Sequence, residues 1–114
     1  MTTQRPSPRD ALAQRLRILL ESQPNVREVR MFGGVSFLVD ERMAVAAGRD
    51  GDLLVRTDPA RYDHLIARGG QPAFMGKDRP MGNGWLTVPS ALIEDEAELG
   101  YWLGVGIDSR NTVP

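Results

Sequence analysis

The sequence contains no cysteine. Disulfides, thiolate nucleophiles and sulfur-ligated metals are therefore excluded, while the compartment stays unmarked. Histidine occurs once, at His64, and lysine once, at Lys77, so the 14 basic residues are almost all arginine. Neither sign of charge dominates: 14 basic residues stand against 15 acidic ones, a net charge of -1. A domain whose whole surface embraces a polyanion usually shows a strong basic excess, and this one does not. Long apolar runs are missing as well. No stretch approaches the roughly 20 residues of a membrane helix, and Met1–Pro6 has no apolar run behind it to serve as a signal peptide. The expected location is cytoplasmic.

What is present is an ordinary globular composition, 41% hydrophobic and 25% charged over 114 residues. A chain of this length buries roughly 65% of the surface it exposes when unfolded, enough for one self-sufficient core. One domain spanning 1–114 is expected, with an ordered core of about 8–108 and a loose tail from Ser109.

Ser7-Pro8-Arg9-Asp10 carries a capping hydroxyl, a proline suited to the first helical position and an acid for the positive helix end. Leu12, Leu16, Leu19 and Leu20 follow at helical spacing, and Pro24-Asn25 closes the segment. From Val26 to about Leu54, short Val-, Phe-, Met- and Ala-rich runs alternate with Gly33-Gly34, Asp40-Glu41-Arg42 and Gly48-Arg49-Asp50-Gly51. That pattern predicts a four-stranded meander. Asp58-Pro59 starts a second helix with Tyr62, Leu65 and Ile66 inward and Gly69-Gly70 after it. An edge strand or loop through Phe74 and Met75, a hairpin turn at Asn83-Gly84 and a strand at Trp85–Val88 come next. Asp95 opens the last helix, with Leu99, Trp102, Leu103 and Ile107 as its buried stripe. Gly104 and Gly106 within it predict close packing or fraying. The expected fold is α+β, ordered α-β-β-β-β-α-β-β-α, with an antiparallel sheet and helices mainly on one face.

Arg30-Met31-Phe32-Gly33-Gly34 invites comparison with a phosphate-cradling loop, which needs glycines leading from a strand into a helix. Here another alternating strand follows, so Gly33-Gly34 reads as a two-residue primed turn pairing Phe32 with Val35 and Arg30 with Phe37. Arg30 then shares an apolar face with Phe32, Val35, Phe37 and Val39. Its guanidinium either snorkels to the rim or binds an anion at the hairpin mouth.

Taken together, Arg30–Gly34, Asp40–Met43, Asp52–Arg56, Pro72–Phe74, Gly82–Pro89 and the helix from Asp95 to Trp102 resemble the N-terminal domain of the TfoX/Sxy family, in order, across about Leu12 to Ile107. The resemblance implies a two-layer α+β fold and a regulatory or binding module without catalytic residues; the best-known members regulate natural competence. The family usually has Asp-Gly where Asp40-Glu41 stands, often lysine where Arg56 stands, and its regulators carry an additional C-terminal helical domain. The chain is expected to be a stand-alone N-terminal domain.

Candidate chemistry is sparse. His64 lies on the outward side of its helix beside Asp63, with no nucleophile in view. Glu94, Asp95, Glu96 and Glu98 suit a helix N-terminus without any ion, and Asp50-Gly51-Asp52 lacks the bidentate glutamate of a calcium loop. Arg30, Arg42, Arg56, Lys77 and Arg79 sit near strand ends, either as scattered solvated charge or as an anion-binding rim. Both alternating sets in the strands are apolar, which predicts a partly helix-covered second face or a homodimer. The reading is a non-catalytic TfoX/Sxy-like regulatory or protein-interaction module, linked to transcriptional regulation or competence. The interaction candidates are Arg30, Phe32, Gly33, Gly34, Arg56 and Trp85, with no cofactor or metal. The alternative is a domain that binds an anionic small ligand or nucleic acid through the arginine-rich rim.

Overall fold

The computed structural model describes residues 6–31, 33–75 and 78–110. Helix α1 (Pro8–Leu19) is followed by the meander β1 (Val26–Met31), β2 (Gly34–Val39), β3 (Arg42–Ala47) and β4 (Leu53–Arg56). A 3-10 turn (Pro59–Arg61) leads into α2 (Tyr62–Ala67), and β5 (Gln71–Pro72) and β6 (Trp85–Val88) precede a second 3-10 turn (Ser90–Ile93) and α3 (Glu96–Ser109). The strands form one antiparallel six-stranded sheet in the order β1-β2-β3-β4-β6-β5. The expected α+β class and element order are those observed.

Local chemistry sets the helix starts. The Ser7 hydroxyl accepts a bond from the Asp10 amide at 3.1 Å, with Pro8 in the first turn. The Asp58 carboxylate accepts from the Ala60 amide at 3.0 Å, so Asp58-Pro59 opens a 3-10 turn before α2 proper. At α3 the Asp95 backbone carbonyl accepts from the Leu99 amide, but its side chain makes no capping bond.

Pairing register sorts the strand residues into two faces, because partners across a ladder point the same way. Val35, Ala47, Leu53 and Val88 form one row; Phe37, Val45, Val55 and Leu86 form the next. Every member of both rows is buried, beneath Leu12 and Leu16 of α1, Leu65 of α2 and Leu99, Trp102 and Leu103 of α3. Ile107 is only partly buried, and Val105 and Gly106 complete the stripe instead. Helix α1 packs on β2 and β3, and α3 on β3 and β4, so the helices occupy one side.

That close approach depends on Gly106. A methyl group there would lie 2.5 Å from the Ala44 carbonyl oxygen and 2.7 Å from Val45 Cγ1. Ala44 sits where the β2–β3 register shifts, since Phe37 pairs with Val45 but Leu38 with Met43. The bulge pushes β3 backbone towards the helix, and only glycine leaves room for it. Gly104 has nothing within 4 Å, so the expected close packing applies to one glycine of the two.

Two turns differ from expectation. In the first hairpin Met31 pairs with Gly34 and Arg30 with Val35, so the chain reverses one residue earlier than a Gly33-Gly34 turn would have it. Gly33 supplies the positive φ of +78°, whereas Gly34 belongs to β2, where a methyl group would meet the Ala47 carbonyl oxygen at 2.8 Å. The two glycines serve different needs, one conformational and one steric. Arg30 nonetheless keeps the face expected of it, because the shift moves its partner by two positions. After β5, the reversal falls before Asn83-Gly84: the Met75 amide bonds to the Arg79 carbonyl and the Met81 amide to that of Ala73. The carbonyls of Asn83 and Gly84 instead accept bonds from Thr57, at 2.9 and 2.8 Å.

Candidate functional site

The sheet face away from the helices carries no element packed across it among the described residues. Its central row runs Val29–Ser36–Ala46–Leu54–Thr87–Gln71 across all six strands. The small side chains of Ser36 and Ala46 lie low, while Met31, Met43, Met81 and Trp85 stand around them. The Phe74–Met75 segment, held by a bridge between Phe74 and Pro80, raises a further wall. Together they enclose a half-open groove of about 630 Å³.

Four of the five methionines, Met31, Met43, Met75 and Met81, line this one groove, although they are spread over 51 positions of sequence (31 to 81 inclusive). Phe74 and Met75 are 54% and 56% exposed, large apolar side chains that the chain itself leaves uncovered. Contiguous exposed apolar surface of this kind marks interaction sites. Methionine suits such sites because its unbranched thioether adapts to different shapes.

A cationic side chain stands beside two of the lining residues, Trp85 and Met43. Arg56 pairs with Trp85 across the β4–β6 ladder and lies over its ring, 4.6 Å from the centroid, while its Nε donates to the Met43 carbonyl at 2.7 Å. Burial, and then the charge of Arg42 on the neighbouring strand, push the guanidinium down from its ordinary value. Arginine remains charged under such a shift. Among the described residues no carboxylate is bonded to it. The groove is also lined by Asp50 and Asp52 of the β3–β4 turn, together with Arg49, which lies against Gly33. Asp52 is engaged internally, accepting from the Ser90 amide at 3.1 Å.

Of the six residues singled out from sequence, Arg56 and Trp85 are brought into contact, and Gly34 lines the far end of the same groove. Gly33 lies at the hairpin tip, where its carbonyl accepts from Arg9 at 3.2 Å. Arg30 is exposed and lies on the helix-side face, apart from the groove. Phe32 lies outside the described residues, as does Lys77. The arginine rim is therefore not one surface. Arg15, Arg17, Arg27, Arg68 and Arg110 are paired with Glu96, Glu28, Glu41, Glu98 and Asp40 respectively.

The other candidates resolve simply. His64 is exposed on α2. Glu96 and Glu98 at the α3 N-terminus are held by Arg15 and Arg68, and Asp50-Gly51-Asp52 is a turn closed by the Gly48 amide on the Asp52 carbonyl at 2.8 Å. Among the described residues no group of three or more His, Asp or Glu side chains converges as a metal site. No helix among them is long and apolar enough to cross a membrane.

The sequence model of the TfoX N-terminal domain matches residues 18–109. The chain belongs to that family. In this TfoX N-terminal domain the match takes in every strand and α2 and α3, hence both walls and the floor of the groove. A search of curated proteins finds no match. The methionines and Phe74 are the groove residues that sequence reasoning did not single out. The available signal was the apolar set out of phase with the core, including Leu38, Ala46 and Leu54.

Proposed function

We propose that this TfoX N-terminal domain is a non-catalytic protein-interaction module that docks a partner on the open face of its sheet, in a regulatory setting such as control of transcription or competence. The observation that carries the reading is the uncovered, methionine-lined groove on the face opposite the helices. Family membership supports the regulatory setting, and the docking surface follows from the exposed apolar side chains.

The test is site-directed photo-crosslinking in the native cell, with the reactive residue at position 81 in the groove or at position 64 on α2. Cross-links to protein from 81 and none from 64 support docking at the groove. No adduct from 81, with the chain folded and expressed, would remove the reading. Adducts joining one copy to another would make the partner a second copy of this chain, the homodimer that the apolar second face suggests.

A further inference from the structure

The groove has an unsatisfied electrostatic end. Arg56 is held in one orientation by two contacts, the Trp85 ring beneath it and the Met43 carbonyl on its Nε. Those contacts leave both terminal nitrogens of the guanidinium without a hydrogen bond among the described residues. These nitrogens are the pair that takes a carboxylate in a two-pronged contact. Arg42 adds a second positive charge nearby, and among the described residues neither is in a salt bridge with a carboxylate. Elsewhere the chain pairs its arginines readily, five of them with carboxylates from other segments. The unpaired, pre-oriented guanidinium thus stands against Trp85 and Met43, two residues that line the apolar groove.

Groove shape bears on the kind of occupant. Small-molecule pockets bury most of their ligand, whereas this groove is half open and ends in side chains more than half exposed. Adaptable methionine walls suit a polypeptide side-chain set better than one rigid small molecule.

Resting on the docking function proposed above, we infer that the segment received by the groove is a peptide stretch of a partner protein with large apolar side chains and one acidic residue. The apolar side chains lie over Ser36 and Ala46 between the methionines, and the carboxylate is taken by the terminal nitrogens of Arg56. The charged residues that line the groove itself, Arg49, Asp50 and Asp52, precede β4 whereas Arg56 ends it, so the acid has one end to choose and the peptide one direction.

Selection of a random dodecapeptide display library against the whole chain tests this. The expected outcome is enrichment of peptides combining Leu, Met, Phe or Trp with Asp or Glu. Changing the selected peptide's acid to its amide should weaken binding about tenfold or more, the scale of a charge-assisted hydrogen bond. Arg56→Gln should weaken the parent peptide by a similar factor while binding the amide peptide no worse than the unchanged protein does. The amide measurement uses the unaltered protein, so it decides even where Arg56→Gln folds poorly.

Enriched peptides without an acid, or an amide peptide that binds as well as its parent, would overturn this inference and leave groove docking intact. So would binding of free apolar carboxylates in preference to every peptide, or a solution mass of twice 12.6 kDa with copies joined through position 81. Failure to enrich any peptide on the folded chain, or binding that survives Met81→Glu, would remove the docking function along with it.

Discussion

At the scale of single residues, the tightest constraint falls on Gly106. Alanine is the better helix former by about 1 kcal/mol, yet its methyl group would press on the Ala44 carbonyl from 2.5 Å. Overpacking of this sort costs about 1–3 kcal/mol, so Gly106→Ala should lower the unfolding free energy in urea titration. Gly104→Ala, in open space on the same helix, should raise it by up to about 1 kcal/mol. Opposite signs two residues apart would separate packing from propensity. Glu41 presents the converse case. Asp40 and Glu41 both adopt positive φ, +54° and +67°, in the two-residue turn between β2 and β3. A side chain in that region costs roughly 1 kcal/mol. The exposed Arg27–Glu41 ion pair returns little of it. Glu41→Gly should therefore stabilise the fold by about 0.5–1 kcal/mol, read as a higher thermal midpoint.

At the scale of elements, the first hairpin separates two uses of glycine. Gly33→Ala meets a backbone penalty of about 1 kcal/mol at its positive φ. Gly34→Ala forces β2 away from the Ala47 carbonyl, so its destabilisation in urea should be the larger of the two. Acid sensitivity belongs to this scale too, because paired carboxylates tie elements together. Glu28 of β1 is held below its ordinary value chiefly by the hydrogen bond from Arg17 of α1. Asp40 is held low chiefly by the hydrogen bond from Asn25 and then by that from Arg110, just beyond α3. Carboxyls depressed in the fold contribute stability that is complete above their ordinary unfolded values. That stability is lost as pH falls through the depressed native ones. The unfolding free energy should therefore decline on acidification below the ordinary carboxylate range, and Asp40→Asn should make that decline shallower.

The elements themselves were legible because glycine, proline and capping residues punctuate them within a few residues. The turn register was not, because Gly34 answers to Ala47, thirteen positions away, and no local pattern reports that approach. Asn83-Gly84 misled for a similar reason: its carbonyls are claimed by Thr57, just beyond β4. In the site, Arg56 and Trp85 were visible as types, but their contact arises only from the β4–β6 register. The methionines lie on separate strands and a loop, and only the assembled sheet gathers them.

At the scale of the whole molecule, the packed core and the groove proposed for docking lie on opposite sides of one sheet. The side chains that close the core lie under α1, α2 and α3, and of the groove-lining residues only Ala47 belongs to that core cluster. Met81→Glu should therefore change the unfolding free energy by no more than about 0.5 kcal/mol, while reducing the fluorescence gained by a dye that binds exposed apolar surface. A large loss of stability would show that the groove residues belong to the core after all.

Ser36 and Ala46 form the floor of the groove because their side chains are short, two heavy atoms in serine and one in alanine. Leucine at both positions should level the trough from the side opposite the helices and remove the hollow proposed for docking. On the docking function proposed above, two short side chains decide whether the trough can be filled at all, apart from the core that keeps the domain folded.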